Sequence, residues 1–201
     1  MIRVADRATD VVDCGPGRDT VFVEDHRPKR DELRGCEVVI PVPAEAGHDV
    51  GSTSNNVFGT RGNDVLLGTP GVDTMLGNDG DDVLDGGEGD DYVDGEDGDD
   101  VVHGGPGNDD VHGRKNDDEV YGDAGNDRVN GAYGNDLVDG GPGDDELIGS
   151  AGNDTLVGGE GDDRIEAIDD EVDRVSCGPG NDLALVDPID VVDDTCETVR
   201  K

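Results

Sequence analysis

Aliphatic side chains recur at every ninth position in the middle of the chain. From Gly59 to Glu166 the sequence divides into twelve nine-residue units without an insertion, and the eighth position of every unit is aliphatic. An inward residue between two outward ones is typical of a three-residue strand. The other six positions are rich in turn residues. The pattern therefore predicts a coil that reverses direction once per unit, with strands alternating between two parallel sheets and one full circuit for every two units.

The polar positions of the unit are equally regular. Position one is always Gly, and position four is Gly in every unit except the one with Asn116. Glycine at a fixed place indicates a positive φ or the close approach of another strand, and Asn is the residue that best replaces it in the left-handed conformation. Position six is Asp in all twelve units: Asp64, Asp73, Asp82, Asp91, Asp100, Asp109, Asp118, Asp127, Asp136, Asp145, Asp154 and Asp163.

The consensus G-G-x-G-(N/D)-D-x-U-x, with U aliphatic, resembles the RTX calcium-binding nonapeptide. The stretches "GGPGNDDVH" from Gly104 and "GGEGDDRIE" from Gly158 match it fully. The resemblance implies an all-β fold, a right-handed parallel β-roll (a solenoid of two parallel sheets) with two nonapeptides per coil. It also implies calcium binding by the position-six aspartates together with main-chain carbonyls of the adjoining glycine-rich turns. The match is looser at position two, which is Gly only at Gly87, Gly105, Gly141 and Gly159.

The charge of the chain also favours calcium. The chain has 52 acidic and 15 basic residues and a formal net charge of -37, which repels nucleic acid and acidic membranes. Calcium accepts six to eight oxygens in flexible geometry, whereas magnesium requires a tighter octahedron. Six turns on each edge of the roll leave five gaps, so about ten calcium ions is the ceiling for the regular repeats. No EF-hand spacing occurs. Such a composition also suits a disordered linker, but disorder does not explain the aliphatic period.

The same circuit predicts that folding depends on calcium. Aspartates one circuit apart would lie about 4.8 Å from each other, and carboxylates at that separation do not readily stay ionised together without a cation. One aliphatic residue per nine is also a thin core. We therefore expect a chain that is largely unfolded without calcium and folds as the ions bind.

Two cysteine-containing segments flank the repeats. The segment "DVVDCGPGRDTVFV" from Asp10 has an echo in "DRVSCGPGNDLALV" from Asp173, and each is followed by a second Cys and a Glu. Four cysteines allow three pairings, and the duplication favours Cys14–Cys36 and Cys177–Cys196. A zinc site and free thiols are the alternatives. In the nonapeptide frame Asp10, Asp19, Asp173 and Asp182 occupy position six, and of these Asp19 and Asp182 are further candidate calcium ligands.

This duplication predicts a modular chain. We expect a degenerate-repeat module at 1–40, a linker at 41–50, the roll at 51–166 and a capping module at 167–201. Since Ile2 aligns with Ile165, the first residues resemble the end of another roll, which predicts a longer protein of alternating rolls and caps. Outward apolar residues near the roll ends are either contact surfaces for the modules or scattered surface residues: Val65, Leu67, Leu76, Ile148 and Val157.

Other chemistry is sparse. No H-E-x-x-H or G-x-S-x-G occurs, so no enzyme activity is expected of these residues. His103 and His112 stand at position nine of adjacent units on opposite sheets, and both are interpreted as surface residues. The basic stretch His26–Arg34 is interpreted as a solvated loop. Disulfides and calcium favour an extracellular structural or secretion-linked module. The alternative is the C-terminal part of a secreted enzyme or toxin. An ice-binding roll would need a Thr/Asn ladder, which position three lacks, and mimicry of DNA is disfavoured by bound calcium.

Overall fold

The computed structural model describes residues 56–201 in full, and in the part of the chain before Asn56 it describes the backbone of five strands. These five are β1 Ile2–Val4, β2 Val11–Asp13, β3 Thr20–Glu24, β4 Glu32–Arg34 and β5 Val38–Val42. Cys14, Cys36, Asp10, Asp19, His26 and His48 lie outside the described residues, so the first predicted disulfide and its neighbouring aspartates stay predictions.

Seventeen strands follow in the fully described part of the chain, with no helix between them. They are β6 Asn56–Phe58, β7 Val65–Leu67, β8 Thr74–Asp79, β9 Val83–Asp85, β10 Tyr92–Asp97, β11 Val101–Pro106, β12 Asp110–Lys115, β13 Glu119–Ala124, β14 Arg128–Tyr133, β15 Leu137–Pro142, β16 Glu146–Ala151, β17 Thr155–Glu160, β18 Arg164–Ala167, β19 Arg174–Ser176, β20 Leu183–Val186, β21 Val191–Val192 and β22 Thr198–Arg200.

The strands form two parallel sheets that share one coil. Odd-numbered strands from β7 to β21 lie in an eleven-stranded sheet that also contains β1, β3 and β5, and even-numbered strands from β6 to β22 form a nine-stranded sheet. Paired residues in the regular repeats are two nonapeptides apart, as in Val93↔Val111 and Val102↔Val120. The predicted parallel solenoid with two sheets is confirmed. β2 and β4 pair separately, and β5 joins β7 through Val39↔Leu66. The module and linker boundaries themselves stay predictions.

The core is a double row of single aliphatic residues, one from each nonapeptide. Because successive strands face each other across the coil, every position-eight side chain points inward, and all twelve are 0% exposed. The row continues past the regular repeats with Val175 and Ala184, which are also buried. The hydrophobic period seen in the sequence is thus the core itself: Leu66, Met75, Leu84, Val93, Val102, Val111, Val120, Val129, Val138, Leu147, Leu156 and Ile165.

Most strands are longer than the three residues predicted from the pattern. β8 and β10–β17 run for six residues, through positions one to three of the next unit. Position two is left-handed there, and its residues pair with one another from coil to coil, as in Glu96↔Arg114 and Ala132↔Ser150. The alternating pattern could not show this extension, because residues in the stacked turns are held by backbone pairing rather than by burial. Asn116 at position four has the expected positive φ of 74°.

Left-handed residues other than glycine should weaken the roll. Ser150 has a φ of 76°, a conformation that costs an L-residue about 1–2 kcal/mol and costs glycine little. Replacing Ser150 with Gly removes this cost, but part of the gain is offset by the greater entropy of glycine in the unfolded chain. We therefore expect Ser150→Gly to raise the free energy of unfolding by about 1 kcal/mol. Urea denaturation in calcium measures it. Thr155 does not have a positive φ, so Thr155→Gly should instead destabilise the roll, and equal effects of both changes would contradict the role given to the conformation.

The C-terminal module continues the coil beyond the last regular unit. Cys177 replaces the glycine of position one, and it forms a disulfide with Cys196, their Cα atoms 5.0 Å apart. This pairing was predicted and is present. Gly178 follows with a φ of 100°, as position two requires. Thr195 accepts hydrogen bonds at its hydroxyl from the N–H groups of Cys177 and Gly178. The closed loop of about 20 residues should stabilise the module by about 3 kcal/mol.

Candidate metal sites

The position-six aspartates form two buried columns, one on each edge of the roll. Each main-chain N–H in a column donates to the Oδ1 atom of the aspartate one coil further on, as from Asp100 to Asp118 and from Asp109 to Asp127, both at 2.8 Å. The columns continue into the C-terminal module, where Asp154 N–H donates to Asp173 Oδ1 and Asp163 N–H donates to Asp182 Oδ1. The structure therefore brings together the residues that the sequence predicted, in the predicted two rows.

The second oxygen of these carboxylates is buried without a hydrogen-bond partner. Burying a carboxylate oxygen without a partner is costly, and native proteins seldom do so without an ion or water to satisfy it. Such oxygens recur at one place in every later turn of the roll, so they form a system rather than isolated defects. They are Oδ2 of Asp82, Asp91, Asp100, Asp109, Asp118, Asp127, Asp136, Asp145, Asp154, Asp163, Asp173 and Asp182.

A main-chain carbonyl oxygen lies beside the position-six carboxylate in most of the regular turns. A methyl carbon built on Gly122 would lie 2.7 Å from Asp127 Oδ2 and 2.6 Å from the carbonyl oxygen of Gly140. At Gly140 the corresponding distances are 2.5 Å to Asp145 Oδ2 and 2.6 Å to the Gly158 oxygen. Position one is therefore always glycine in the regular repeats because a Cβ atom would fill the space between these two oxygens.

The electrostatics of the columns oppose ionisation unless a cation is present. The pKa of Asp118 is raised to about 8, chiefly by burial and also by the neighbouring carboxylates of Asp136 and Asp100, against the opposing backbone hydrogen bond from Asp100. The pKa values of Asp127 and Asp154 rise to about 7, again chiefly through burial. Removal from water disfavours the charged carboxylate, and a nearby like charge adds to this. A divalent cation between the coils would reverse both effects.

The donor set suits a hard cation. Within residues 56–201 no three His, Cys, Asp or Glu side chains converge on one point, so an ion on an edge would take much of its coordination from main-chain carbonyls. All the candidate donors are oxygens, which calcium and magnesium prefer, and neither sulfur nor nitrogen is presented. Flexible coordination by several carbonyls fits calcium better than magnesium, which keeps its waters and requires an octahedron.

Comparison with known families agrees with this geometry. The model of the RTX calcium-binding nonapeptide repeat, which spans four copies, matches residues 49–84, 67–102, 76–111, 103–138, 112–147 and 139–167. Together these matches run unbroken over more than half of the chain. The chain belongs to the RTX repeat family. The matched residues include every position-six aspartate of the twelve units, and the family is a structural calcium-binding repeat rather than a catalytic one. No curated protein matches the chain.

The histidines of the RTX roll differ from the interpretation of both as surface residues. His103 and His112 do lie on opposite sheets, but His112 is only 6% exposed. Its ring lies 5.4 Å from that of Tyr92, and its Nε2 lies 3.0 Å from Asp110 Oδ1. The prediction for His112 was wrong because the Tyr92 ring of the neighbouring strand β10 packs against position nine here. Half-exposed His103 stacks on the Tyr121 ring.

Two further observations concern the described part of the chain. Position two was noted in the sequence only as a loosely kept glycine, whereas ten of its twelve residues in the regular units have positive φ. The residues that replace Gly at this position are small or flexible, which is consistent with a positive φ, but the sequence alone did not reveal that conformation.

None of the described residues belongs to a helix that is long and apolar enough to cross a membrane.

Proposed function

We propose that the chain is a calcium-binding structural module of an extracellular protein, which holds several ions between successive turns and folds as they bind. The observation that carries this proposal is the recurrence, on both edges, of a buried Oδ2 atom without a partner beside a main-chain carbonyl oxygen. The proposed ligands are the position-six aspartates of the regular units with carbonyls of the adjoining glycine turns. Asp182 was a further candidate, but its unit has Cys177 in place of the position-one glycine, so it is not included in the proposed set.

Each part of the turn has a defined role in this proposal. The Oδ1 atom accepts the N–H of the preceding coil, which fixes the carboxylate, and Oδ2 is left to bind the ion. Glycine at position one keeps the space beside Oδ2 clear. Calcium would supply the positive charge that the two columns lack and would link adjacent coils, so each ion would favour the next.

The extracellular location rests on two features of the chain. Disulfides persist in oxidising compartments, and Cys177 and Cys196 form one. Calcium-dependent folding also suits a chain that leaves a calcium-poor cytosol and folds where calcium is abundant.

Calorimetric titration of the chain tests the proposal. Calcium added to the calcium-free protein should give saturable heat with several ions bound per chain, and magnesium at the same concentration should give much weaker binding because its geometry is rigid. The ceiling for the regular repeats is about ten ions. Absence of calcium binding at millimolar concentration would contradict the proposed function.

A matched pair of substitutions tests the proposed ligands. Asp118 is buried with an unpartnered Oδ2, whereas its neighbour Asp117 is exposed at position five. Asp118→Asn removes a ligand charge, so we expect about one calcium ion fewer per chain. Asp117→Asn removes the same net charge outside the column and should leave the number unchanged. Ion counting by native mass spectrometry measures both, and equal losses would show that binding depends on net charge rather than on the column.

A further inference from the structure

The first two turns of the regular roll differ from the later ones in how they satisfy the position-six carboxylate. In the first turn the N–H of Thr60 donates to Asp64 Oδ2. In the second turn the N–H of Thr69 donates to Asp73 Oδ2 at 2.6 Å, and the Thr69 hydroxyl donates to the same oxygen at 2.9 Å. The oxygen that lacks a partner in the later turns is therefore hydrogen-bonded in these two.

This difference follows the backbone conformation of position two. Thr60 and Thr69 do not have a positive φ, whereas position two is left-handed in all ten remaining regular units. In each of those ten units the Oδ2 atom of the aspartate at position six has no partner. The left-handed residues are Asn78, Gly87, Glu96, Gly105, Arg114, Asp123, Ala132, Gly141, Ser150 and Gly159, with φ between 70° and 115°.

The side chain at position two explains the conformation. A β-branched residue with positive φ is a genuine outlier, because its two Cβ substituents crowd the backbone, whereas Gly, Asn and unbranched residues take this region at lower cost. The φ of position two sets the direction of the N–H of that residue. With threonine the N–H donates to the carboxylate, whereas the N–H of left-handed Gly159 donates to the main-chain oxygen of Cys177.

We propose that the residue at position two decides whether a turn binds an ion. A left-handed residue leaves Oδ2 free for calcium, whereas Thr60 and Thr69 satisfy Oδ2 with a hydrogen bond, so the turns of Asp64 and Asp73 bind no ion through it. The Oδ2 atoms of the first coil are thereby hydrogen-bonded, although Oδ1 of Asp64 is buried without a partner, and calcium binding through Oδ2 begins at Asp82 and Asp91. This inference rests on the proposed function and narrows its ligands, because it excludes Oδ2 of Asp64 and Asp73 from the twelve position-six aspartates.

One substitution should add an ion. Thr69→Gly removes the β-branch and allows positive φ at position two, so the N–H can turn away from Asp73. We expect about one more calcium ion per folded chain, counted by native mass spectrometry at saturating calcium. Thr155→Gly is the matched control, because the N–H of Thr155 at position seven donates to the main-chain oxygen of Asp136 rather than to a carboxylate, and it should bind the wild-type number. An unchanged count for Thr69→Gly would overturn the inference.

The reverse substitution should remove an ion. Ala132 has a φ of 82° and lies in the turn of Asp136, whose Oδ2 is without a partner. Ala132→Thr should favour negative φ and bring the N–H to that oxygen, with the loss of about one ion. Ala132→Ser should keep the ion, since serine takes the same conformation at Ser150.

The outcomes separate the two levels of the argument. A wild-type chain that binds no calcium contradicts the proposed function and this inference together. Calcium binding with the same ion count in wild type, Thr69→Gly and Ala132→Thr contradicts the inference alone. If Ala132→Thr does not fold in calcium, the count for Thr69→Gly decides by itself.

Discussion

In excess EGTA at neutral pH the chain is expected to lose most of its β-sheet circular dichroism, and millimolar calcium is expected to restore it. The core contains one aliphatic residue per nonapeptide, which is little apolar burial for the backbone that must be ordered. The columns oppose folding further, because a dozen carboxylate oxygens are buried without partners. Ions that bind between coils supply the missing interactions, so folding and binding should occur together.

The shape of the transition adds a second criterion. Each ion would connect two coils, so sheet formation should rise steeply with free calcium rather than follow a single-site curve. Magnesium at equal concentration serves as the control and should restore little sheet. A far-UV spectrum that is the same in EGTA and in calcium would show that the roll does not need the metal, and would contradict the coupling of folding to binding.

Much of the fold could be predicted because the spacing of the inward residues in the repeat fixes the length of one coil. Leu84 and Val93 mark inward positions one unit apart, which is half a coil, and the observed register of two units follows directly. The two columns of aspartates follow from the same count. Cys177 and Cys196 could be paired because the sequence contains a second, similar module.

The remaining features depend on contacts that no period contains. His112 is buried by the particular side chains beside it, Tyr92 and Asp110, which differ from unit to unit. The six-residue strands depend on backbone pairing through the turns, where Glu96 and Arg114 are polar residues with no apolar pattern to reveal a strand. The hydrophobic period in the sequence predicts which side chains are buried, but it does not predict strand pairing of backbone at the surface.

The glycine positions show how one residue type serves different physical purposes. At Gly140 the requirement is space, because a Cβ atom would lie between Asp145 Oδ2 and the Gly158 oxygen. At Gly141 the requirement is conformational, with a φ of 94°. The first need admits no substitute among the twelve regular units, whereas the second admits Asn, Ala, Ser and charged residues at a moderate cost. This explains why position one never varies in this roll and position two often does.

Acid should promote sheet formation in the calcium-free chain. The folded-state pKa values of Asp136, Asp145 and Asp118 are about 6, about 7 and about 8, above the unfolded value of about 3.9. Folding therefore takes up protons, so this contribution to stability is complete below about pH 4 and is lost as the pH rises through the folded pKa values. Each unit of difference corresponds to about 1.4 kcal/mol per group, and several groups together rival the roughly 5–15 kcal/mol typical of a domain.

Circular dichroism from about pH 8 to about pH 4 in EGTA measures this acid effect. Asp145→Asn should move the midpoint to higher pH, because the neutral amide no longer needs a proton in the buried column, whose pKa at Asp145 is about 7. Asp144 is exposed at position five, so Asp144→Asn removes the same charge but should change the pH midpoint little. With calcium present the effect reverses, since protons compete with the ion for Oδ2. A calcium-free chain that loses sheet on acidification would show that the column carboxylates are not protonated in the folded roll.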